Sequence, residues 1–355
     1  MADKFNSDML ELARRLRGFT QSELVRVMDK SISQAYLSKM ERGEAEPTAE
    51  HVALLSKALS IPECFFSQPE HMHALPISFH AYRKKASVTK KQLDLIHAQM
   101  NLKLLHAQRM LSEIGAVSEV AIPELSLADF NGDPEAAAAY LRDYWGLQSG
   151  PVQNLVDAVE RAGVLVFMCD YPEGQVDGVT MRVDGLPPCV FLNSNQPADR
   201  MRFSLAHELG HIVLHKVPSL EMEDEANKFA AGLLLPANEI KSQLGTITLQ
   251  SLGYLKSVWK ASMGAILYRA KTLQTITESQ STYLWRQMSV LGYRRREPVE
   301  LEREVPTSVA QMIRRYADAR GWSLQQLVDE FCLHAADFDG LYRADLGCEG
   351  GEKMA

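Results

Sequence analysis

The stretch His207-Glu208-Leu209-Gly210-His211 lies inside the apolar run 203–214. On a helix, two histidines four positions apart project from one face and lie about 6 Å apart along the axis. Two such imidazoles can bind one Zn²⁺, and the glutamate between them is the usual general base of this arrangement. The pattern therefore predicts a buried helix that carries two zinc ligands, His207 and His211, and a catalytic Glu208.

A second helix is predicted over 223–235, because apolar residues recur at helical spacing and Pro236 ends the run. A third ligand must lie near the buried face of this helix, which begins at Ala226. Glu223, one turn before Ala226, meets this condition, and Glu225 is the alternative. Two histidines and one carboxylate leave a fourth position for water, which is typical of a catalytic zinc site rather than a structural one.

His215 continues the row of histidines on the same predicted helix. It cannot share an ion with His207, because a straight helix separates the two by about 12 Å. Two interpretations stay open. His215 is either a catalytic partner that orients a ligand or donates a hydrogen bond to a developing oxyanion, or a partly exposed histidine at the helix end.

These residues, with the run 202–211 and the pattern that ends at Leu233-Leu234-Leu235-Pro236, resemble the ImmA/IrrE family of bacterial zinc metallopeptidases. The resemblance covers roughly residues 150–240. Strands predicted at 164–168, 178–183 and 188–193 precede the motif helix, and this order is similar to the fold of that family. Members of the family are implicated in cleaving helix-turn-helix repressors. The resemblance thus implies a zinc cofactor and a peptide or protein substrate.

The first 65 residues or so predict five short helices. Thr20-Gln21-Ser22-Glu23 is a capping box that starts the second helix, and glycine closes the third, which runs over 32–43. A tight junction between the second and third helices is the signature of a helix-turn-helix domain. The sequence therefore predicts a second functional unit before the peptidase-like segment.

This amino-terminal part, roughly 5–68, resembles the Xre/Cro-like family through the runs 19–24 and 37–43. The turn Met28-Asp29-Lys30-Ser31 departs from the family, which usually has a glycine there. The resemblance implies that the third helix enters the major groove of double-stranded operator DNA, and that the protein binds as a homodimer. Gln34 is the strongest candidate for reading a base, since an amide pairs bidentately with adenine. The candidate DNA-binding residues are Ser33, Gln34, Tyr36, Ser38 and Lys39.

A long basic helix is predicted from about Thr89 to Ile114. Its lysines and arginines could contact DNA phosphates, but such a charge run is more often the solvated face of a helix that dimerises or braces two domains. We favour the second interpretation from sequence.

Composition sets the remaining limits. The chain has 355 residues, a net charge of −7 and 46% hydrophobic residues, which is ordinary for a globular protein of two or three domains. It opens with no export leader and has no long apolar run, so we expect no membrane association. The five cysteines form no CxxC pair, which favours reduced thiols and a cytoplasmic location.

The sequence as a whole predicts a mainly α fold with a small β-sheet (α+β). We expect a helix-turn-helix domain over 1–68, a helical linker or dimerisation segment over 69–132, a metallopeptidase domain over 133–245 and a helical C-terminal region over 246–355. The predicted function is that of a transcriptional regulator that hydrolyses a peptide bond in itself or in a partner. The alternative is a DNA-binding regulator whose peptidase-like domain is a non-catalytic sensor or dimerisation module.

Overall fold

The structure is a computed structural model that describes residues 4–74, 89–116, 118, 120–171, 176–217 and 219–346. The first helices are α1 (Ser7–Leu16), α2 (Gln21–Val27), α3 (Gln34–Glu41) and α4 (Ala49–Leu59), followed by a 3-10 turn at Glu63–Ser67. The long helix α5 (Lys90–Ile114) comes next, then α6 (Pro134–Tyr144) and α7 (Leu155–Arg161). The strands are β1 (Leu165–Cys169), β2 (Gly178–Met181) and β3 (Cys189–Asn193).

The histidine motif lies on α8 (Ala198–Leu214), and α9 (Met222–Leu234) follows it. The remaining helices are α10 (Ala237–Ile240), α11 (Leu249–Trp259), α12 (Met263–Thr272), α13 (Glu278–Val290), α14 (Ser308–Arg320), α15 (Leu324–Glu330) and α16 (Ala335–Tyr342). The predicted fold class, mainly helical with a small sheet, is confirmed. Within the described ranges, no helix is both long enough and apolar enough to span a membrane.

The described residues form two compact units. Of the described residues, the first unit comprises those within 4–116, 182–187 and 307–346, and the second comprises those within 118–181 and 188–306. Helices α1–α5 therefore belong with α14–α16, whereas the sheet and the motif helices α8 and α9 belong to the second unit. The domain boundaries expected after residues 68, 132 and 245 stay predictions.

Side-chain caps fix where the first four helices begin. Asn6, Thr20, Ser33 and Thr48 each accept a hydrogen bond from a backbone N–H in the first turn of the following helix. Such a cap contributes about 1 kcal/mol. Thr20 and Glu23 form the capping box expected from the sequence. The polar residues before each helix thus explain the starts of α1 to α4.

The turn between α2 and α3 accommodates its missing glycine through two left-handed residues. Asp29 has a φ of 50° and Lys30 a φ of 58°. For residues with a Cβ, this conformation costs roughly 1–2 kcal/mol each. The turn nevertheless keeps α2 and α3 in contact, so the departure from the family pattern changes the local backbone and preserves the helix pair.

In the second unit, a three-stranded sheet supports the motif helix. The strand order is β1-β3-β2, with β1 parallel and β2 antiparallel to the central β3. Every residue of β1 and β3 is buried. Helix α8 packs on β2 and β3 with one face and on α9 with the other. The motif residues thus lie between the sheet and α9.

Buried ion pairs hold the first half of α8 in place. The guanidinium of Arg202 pairs with Glu304 and donates to the Val152 carbonyl at 2.8 Å. Asp199, on the first turn, accepts from the Lys256 ammonium at 2.5 Å. Since removing one partner of such a buried pair costs about 3–5 kcal/mol, these contacts fix the helix against the C-terminal part of its unit.

The cysteines correct one expectation from the sequence. Cys64 and Cys332 form a disulfide with a Cα–Cα distance of 5.7 Å, whereas the sequence predicts that all thiols are reduced. The two cysteines are 268 residues apart, so no local sequence pattern predicts that they pair. Cys169 and Cys189 are buried and lie outside this disulfide, and Cys348 lies outside the described residues.

Candidate functional site

The two motif histidines converge as the helical spacing requires. The Nε2 atoms of His207 and His211 are 3.1 Å apart on the face of α8 that packs against α9. From α9, Glu223 brings one carboxylate oxygen to 3.4 Å from His207 Nε2 and the other to 3.6 Å from His211 Nε2. One ligand atom from each residue lies within 4.8 Å of the others. These three side chains can hold a metal ion.

A close approach of the two helices brings Glu223 to the histidines. A Cβ on Gly210 would lie 3.2 Å from the Ala226 Cα and 3.2 Å from the Phe229 ring. This is tighter than an ordinary van der Waals contact, so only glycine lets α8 and α9 pack at this distance. The glycine inside the motif therefore shapes the cluster although it contributes no ligand.

The second glutamate has a different partner. Glu225 accepts at 2.9 Å from His215 Nε2, and His215 Nδ1 lies 2.9 Å from His211 Nδ1. Asp224 points elsewhere and pairs with Lys228 at 2.7 Å. Glu223 thus lies at the two motif histidines, whereas Glu225 is linked to His211 only through His215.

His215 lies just outside the motif helix. Helix α8 ends at Leu214, and His215 has a φ of −113° and a ψ of 83°, so the expected helical row stops one residue earlier. The imidazole of His215 nevertheless stays in contact with His211, with 2.9 Å between the two Nδ1 atoms. Both of its ring nitrogens face a polar partner.

Two side chains that the sequence analysis did not name as site residues contact the motif. Asn227, one turn after Glu223, lies with its Oδ1 3.0 Å from His207 Nδ1. Thr180 on the edge strand β2 donates to Glu208 Oε2 at 2.7 Å. Asn227 could have been predicted from the sequence, because it lies four positions after Glu223 and therefore on the same face of α9. Nothing local in the sequence indicates Thr180, because the contact depends on how β2 packs on α8.

Burial and hydrogen bonding set the charges of the cluster. Burial raises the pKa of Glu208, against the opposing effects of His207 and Thr180. Burial also lowers the pKa of His211 to about 3, so this imidazole is neutral, which is the form that binds metals. The pKa of His207 is raised, because the hydrogen bond to Glu223 and the charge of Glu208 outweigh its burial. The side chain of Glu223 is 48% exposed, so the cluster is open to solvent.

In the first unit, α3 presents the residues expected to bind DNA. Leu37 and Met40 are buried, whereas Ser33, Gln34 and Lys39 are exposed on the other side of the helix. Gln34 accepts at 3.2 Å from the Ser22 hydroxyl of α2.

The other candidates on α3 also have structural partners. The hydroxyl of Ser33 caps the helix by accepting from the Tyr36 N–H at 3.1 Å. Tyr36 and Ser38 are half-buried. Tyr36 donates to the Glu46 carbonyl at 3.1 Å, and Ser38 accepts from Arg42 at 3.3 Å. Gln34 and Lys39 are therefore the candidates with the most accessible side chains.

Comparison with protein families finds two matches. Residues 10–66 match the family described as Helix-turn-helix, and residues 159–271 match the family described as IrrE N-terminal-like domain. The matches follow the order that the two resemblances predicted and contain α2–α3 and the histidine cluster, respectively. The chain therefore combines a DNA-binding type of domain with a metallopeptidase type of domain. No curated protein matches the chain.

Proposed function

We propose that the chain is a bacterial transcription regulator that binds operator DNA through α2 and α3 and hydrolyses a peptide bond at a zinc site on α8 and α9. The observation that carries the proposal is the convergence of His207, His211 and Glu223 next to the buried carboxylate of Glu208. The two matched families support the two halves of the proposal independently.

The donor set fits zinc. Two imidazoles and one carboxylate are the ligands of many catalytic zinc sites, and the ligand atoms are close enough for one ion. Zn²⁺ bound there would polarise a substrate carbonyl and acidify a water molecule. His207 and His211 would bind through Nε2, because their Nδ1 atoms face Asn227 and His215. Such outer hydrogen bonds fix the tautomer and the ring orientation of ligand histidines.

Glu208 is the proposed proton carrier. Thr180 occupies its Oε2, so Oε1 is the oxygen that takes a proton from the attacking water and returns it to the leaving amine. Space beside Oε1 depends on Gly178, since a Cβ there would lie 3.3 Å from this oxygen. Thr180 thus orients one oxygen of the buried carboxyl group, and Oε1 is the oxygen proposed to exchange the proton.

His215 has a positioning role in this proposal. Its two nitrogens face His211 and Glu225 at 2.9 Å, so neither is directed toward a substrate oxyanion. The functional interpretation of His215 from the sequence allows two roles, which are orienting a ligand and donating a hydrogen bond to an oxyanion. The contacts favour the first role, with His211 as the ligand that is oriented. Glu225 in turn holds the His215 ring.

The DNA-binding half relies on α3. Gln34 is proposed to read a base edge, and Lys39, Ser33, Tyr36 and Ser38 are proposed to contact bases or phosphates. Because helix-turn-helix domains commonly bind two half-sites, we propose a homodimer. In keeping with a DNA-binding role, we propose a cytoplasmic location. The proposed substrate is either this chain or a partner helix-turn-helix regulator.

Metal content tests the site first. We would measure zinc per chain by elemental analysis in the wild type, Glu223→Ala and Glu225→Ala. About one zinc per chain, lost in Glu223→Ala and retained in Glu225→Ala, supports the ligand set. Loss only in Glu225→Ala would contradict it, and a wild type without zinc after zinc is supplied would refute the metal site.

Cleavage is tested on the chain itself and on peptides of mixed sequence. The zinc-loaded protein is incubated alone, and with a mixed peptide library analysed by mass spectrometry, beside Glu208→Gln. Products that form with the wild type and are absent with the zinc-loaded Glu208→Gln support the mechanism. Fragments of the chain itself indicate self-processing. Zinc binding without any product would instead favour the non-catalytic sensor or dimerisation module.

The DNA-binding half is tested by selecting genomic fragments with the full chain. Gln34→Ala is expected to weaken binding to the selected sequence by about 10-fold or more, since a bidentate base contact contributes about 1–3 kcal/mol. It should leave binding to random-sequence DNA nearly unchanged. Equal binding of the selected sequence by both proteins would exclude Gln34 as the base reader.

A further inference from the structure

A cavity of about 480 Å³ opens beside the proposed DNA-reading helix pair. It is lined by Gln21 and Ser22 at the start of α2, by Gln34 on α3, and by Lys90 and Lys91 at the start of α5. The long helix, which lies beyond the matched helix-turn-helix residues 10–66, therefore shares a surface with the residue proposed to read bases.

The position of α5 at this cavity is fixed by contacts within the first unit. Helix α1 packs along α5. The ammonium of Lys91 pairs with Glu23, the capping residue of α2, at 3.1 Å. Gly18 lies beside this lysine, since a Cβ there would make an ordinary van der Waals contact of 3.6 Å with Lys91 Cε. The start of α5 is therefore held next to the start of α2.

Among the described residues, some of the cationic side chains around the cavity pair with a carboxylate and one does not. Arg14 pairs with Glu41 at 2.5 Å, Arg15 pairs with Glu11 and faces Asp94 at 3.9 Å, and Lys91 pairs with Glu23. Lys90 is exposed, and in the part of the chain that the structure describes no carboxylate pairs with it. One uncompensated positive charge thus lies at the rim of a surface that also carries Gln34.

We propose that the start of α5 extends the DNA-binding surface and that Lys90 contacts a backbone phosphate of double-stranded DNA. This inference rests on the proposed DNA-binding function. Lys91 positions the helix through Glu23, and Lys90 supplies the charge. A phosphate contact by a lysine adds affinity without sequence preference, and it strengthens the dependence of binding on salt.

The experiment measures the binding of the full-length protein to a labelled random-sequence duplex over about 50–200 mM salt. Variants are Lys90→Gln, the charge-retaining Lys90→Arg and the control Lys57→Gln, which removes an exposed lysine of α4 that does not line the cavity. Circular dichroism checks that each variant is folded. The slope of log K against log salt should fall by about 0.9 in Lys90→Gln, and it should match the wild type in Lys90→Arg and Lys57→Gln.

An unchanged slope in Lys90→Gln, with normal binding by the wild type, overturns the inference and leaves the proposed DNA binding intact. An equal fall in Lys57→Gln also overturns it, because the effect would then reflect net charge alone. A wild type that binds no duplex at the lowest salt refutes the DNA-binding function and this inference together.

Discussion

The hydroxyl of Thr180 donates a 2.7 Å hydrogen bond to Oε2 of Glu208. The donor lies on the edge strand β2 and the acceptor on the motif helix α8, so the bond ties the proposed proton carrier to the sheet. The same hydroxyl also lies 3.2 Å from the Glu208 carbonyl. Thr180 therefore orients the carboxylate without contacting the three proposed metal ligands.

Replacing Thr180 with valine keeps the shape of the side chain and removes the donor. We expect cleavage to slow by about 10- to 100-fold, since a hydrogen bond to a charged group contributes roughly 1.5–3 kcal/mol. Zinc per chain should not change, because none of the three proposed ligands contacts Thr180. Thr180→Ser keeps the hydroxyl and should retain most of the activity. A valine variant that loses zinc would show that Thr180 supports the whole site rather than Glu208.

The contact between α8 and α9 at Gly210 predicts a change in metal affinity. In Gly210→Ala, the new methyl group would press on Ala226 and Phe229 and move α9 outward by a few tenths of an ångström. Overpacking of this kind costs about 1–3 kcal/mol. Because Glu223 lies on α9, we expect zinc to be lost at a lower chelator concentration than in the wild type.

Gly245→Ala is the matched control, since a Cβ there meets nothing within 4 Å and the residue lies in the same unit. Both variants would be titrated with the same chelator. Identical zinc retention in the two variants would mean that the helices absorb the methyl group without moving Glu223.

How far the sequence predicts this site depends on whether a relationship lies within one helix or between elements. The spacing of His207 and His211 fixes their convergence, because both lie on one regular helix. The buried face of α9 likewise favours Glu223 over Glu225 as the residue nearest the histidines. The partnership of Thr180 with Glu208 depends on packing between a strand and a helix, and no periodic pattern encodes it.

In the first unit, too, local patterns predict the helices but not their packing partners. Caps and apolar spacing predict the third helix, over 32–43, and the long helix, over 89–114, to within two residues of the ends of α3 and α5. The pairing of Cys64 with Cys332 joins segments 268 residues apart, and α5 packs on α14 as well as on α1. Helices can be predicted from local patterns, but the choice of which helices pack together depends on side chains that are distant in sequence.

Buried His106 predicts a loss of stability in acid. It lies in the first unit, with its ring stacked on Phe331 at 4.0 Å and its Nδ1 2.9 Å from the Tyr342 hydroxyl. Burial holds its pKa well below the ordinary value, so the folded protein keeps this imidazole neutral. The unfolded chain takes up the proton near its ordinary pKa of about 6.5. Stability from this residue is therefore complete above that pH and falls as the pH drops below it.

Stability should therefore fall between pH 6.5 and 5. One proton taken up only by the unfolded chain sets an upper limit of about 2 kcal/mol on this loss. Urea unfolding at the two pH values measures the difference. His106→Phe keeps the stacked ring and removes the titration, so its stability should depend on pH less steeply by about one proton. The same pH dependence in both proteins would exclude His106 as the source.

The ion pair between Lys103 and Asp345 yields the last prediction. The ammonium lies 2.6 Å from the carboxylate, and both side chains are almost fully buried between α5 and the end of the described chain. Lys103→Met removes the buried positive charge that pairs with Asp345, which should destabilise the first unit by about 3–5 kcal/mol. Hydrogen exchange of peptides from α5 would measure this loss locally, without assuming that the whole chain unfolds in one step. The double variant Lys103→Met/Asp345→Asn removes both charges and should recover much of the protection. If the double variant is as unprotected as Lys103→Met, the loss arises from packing of the lysine side chain and not from an uncompensated charge.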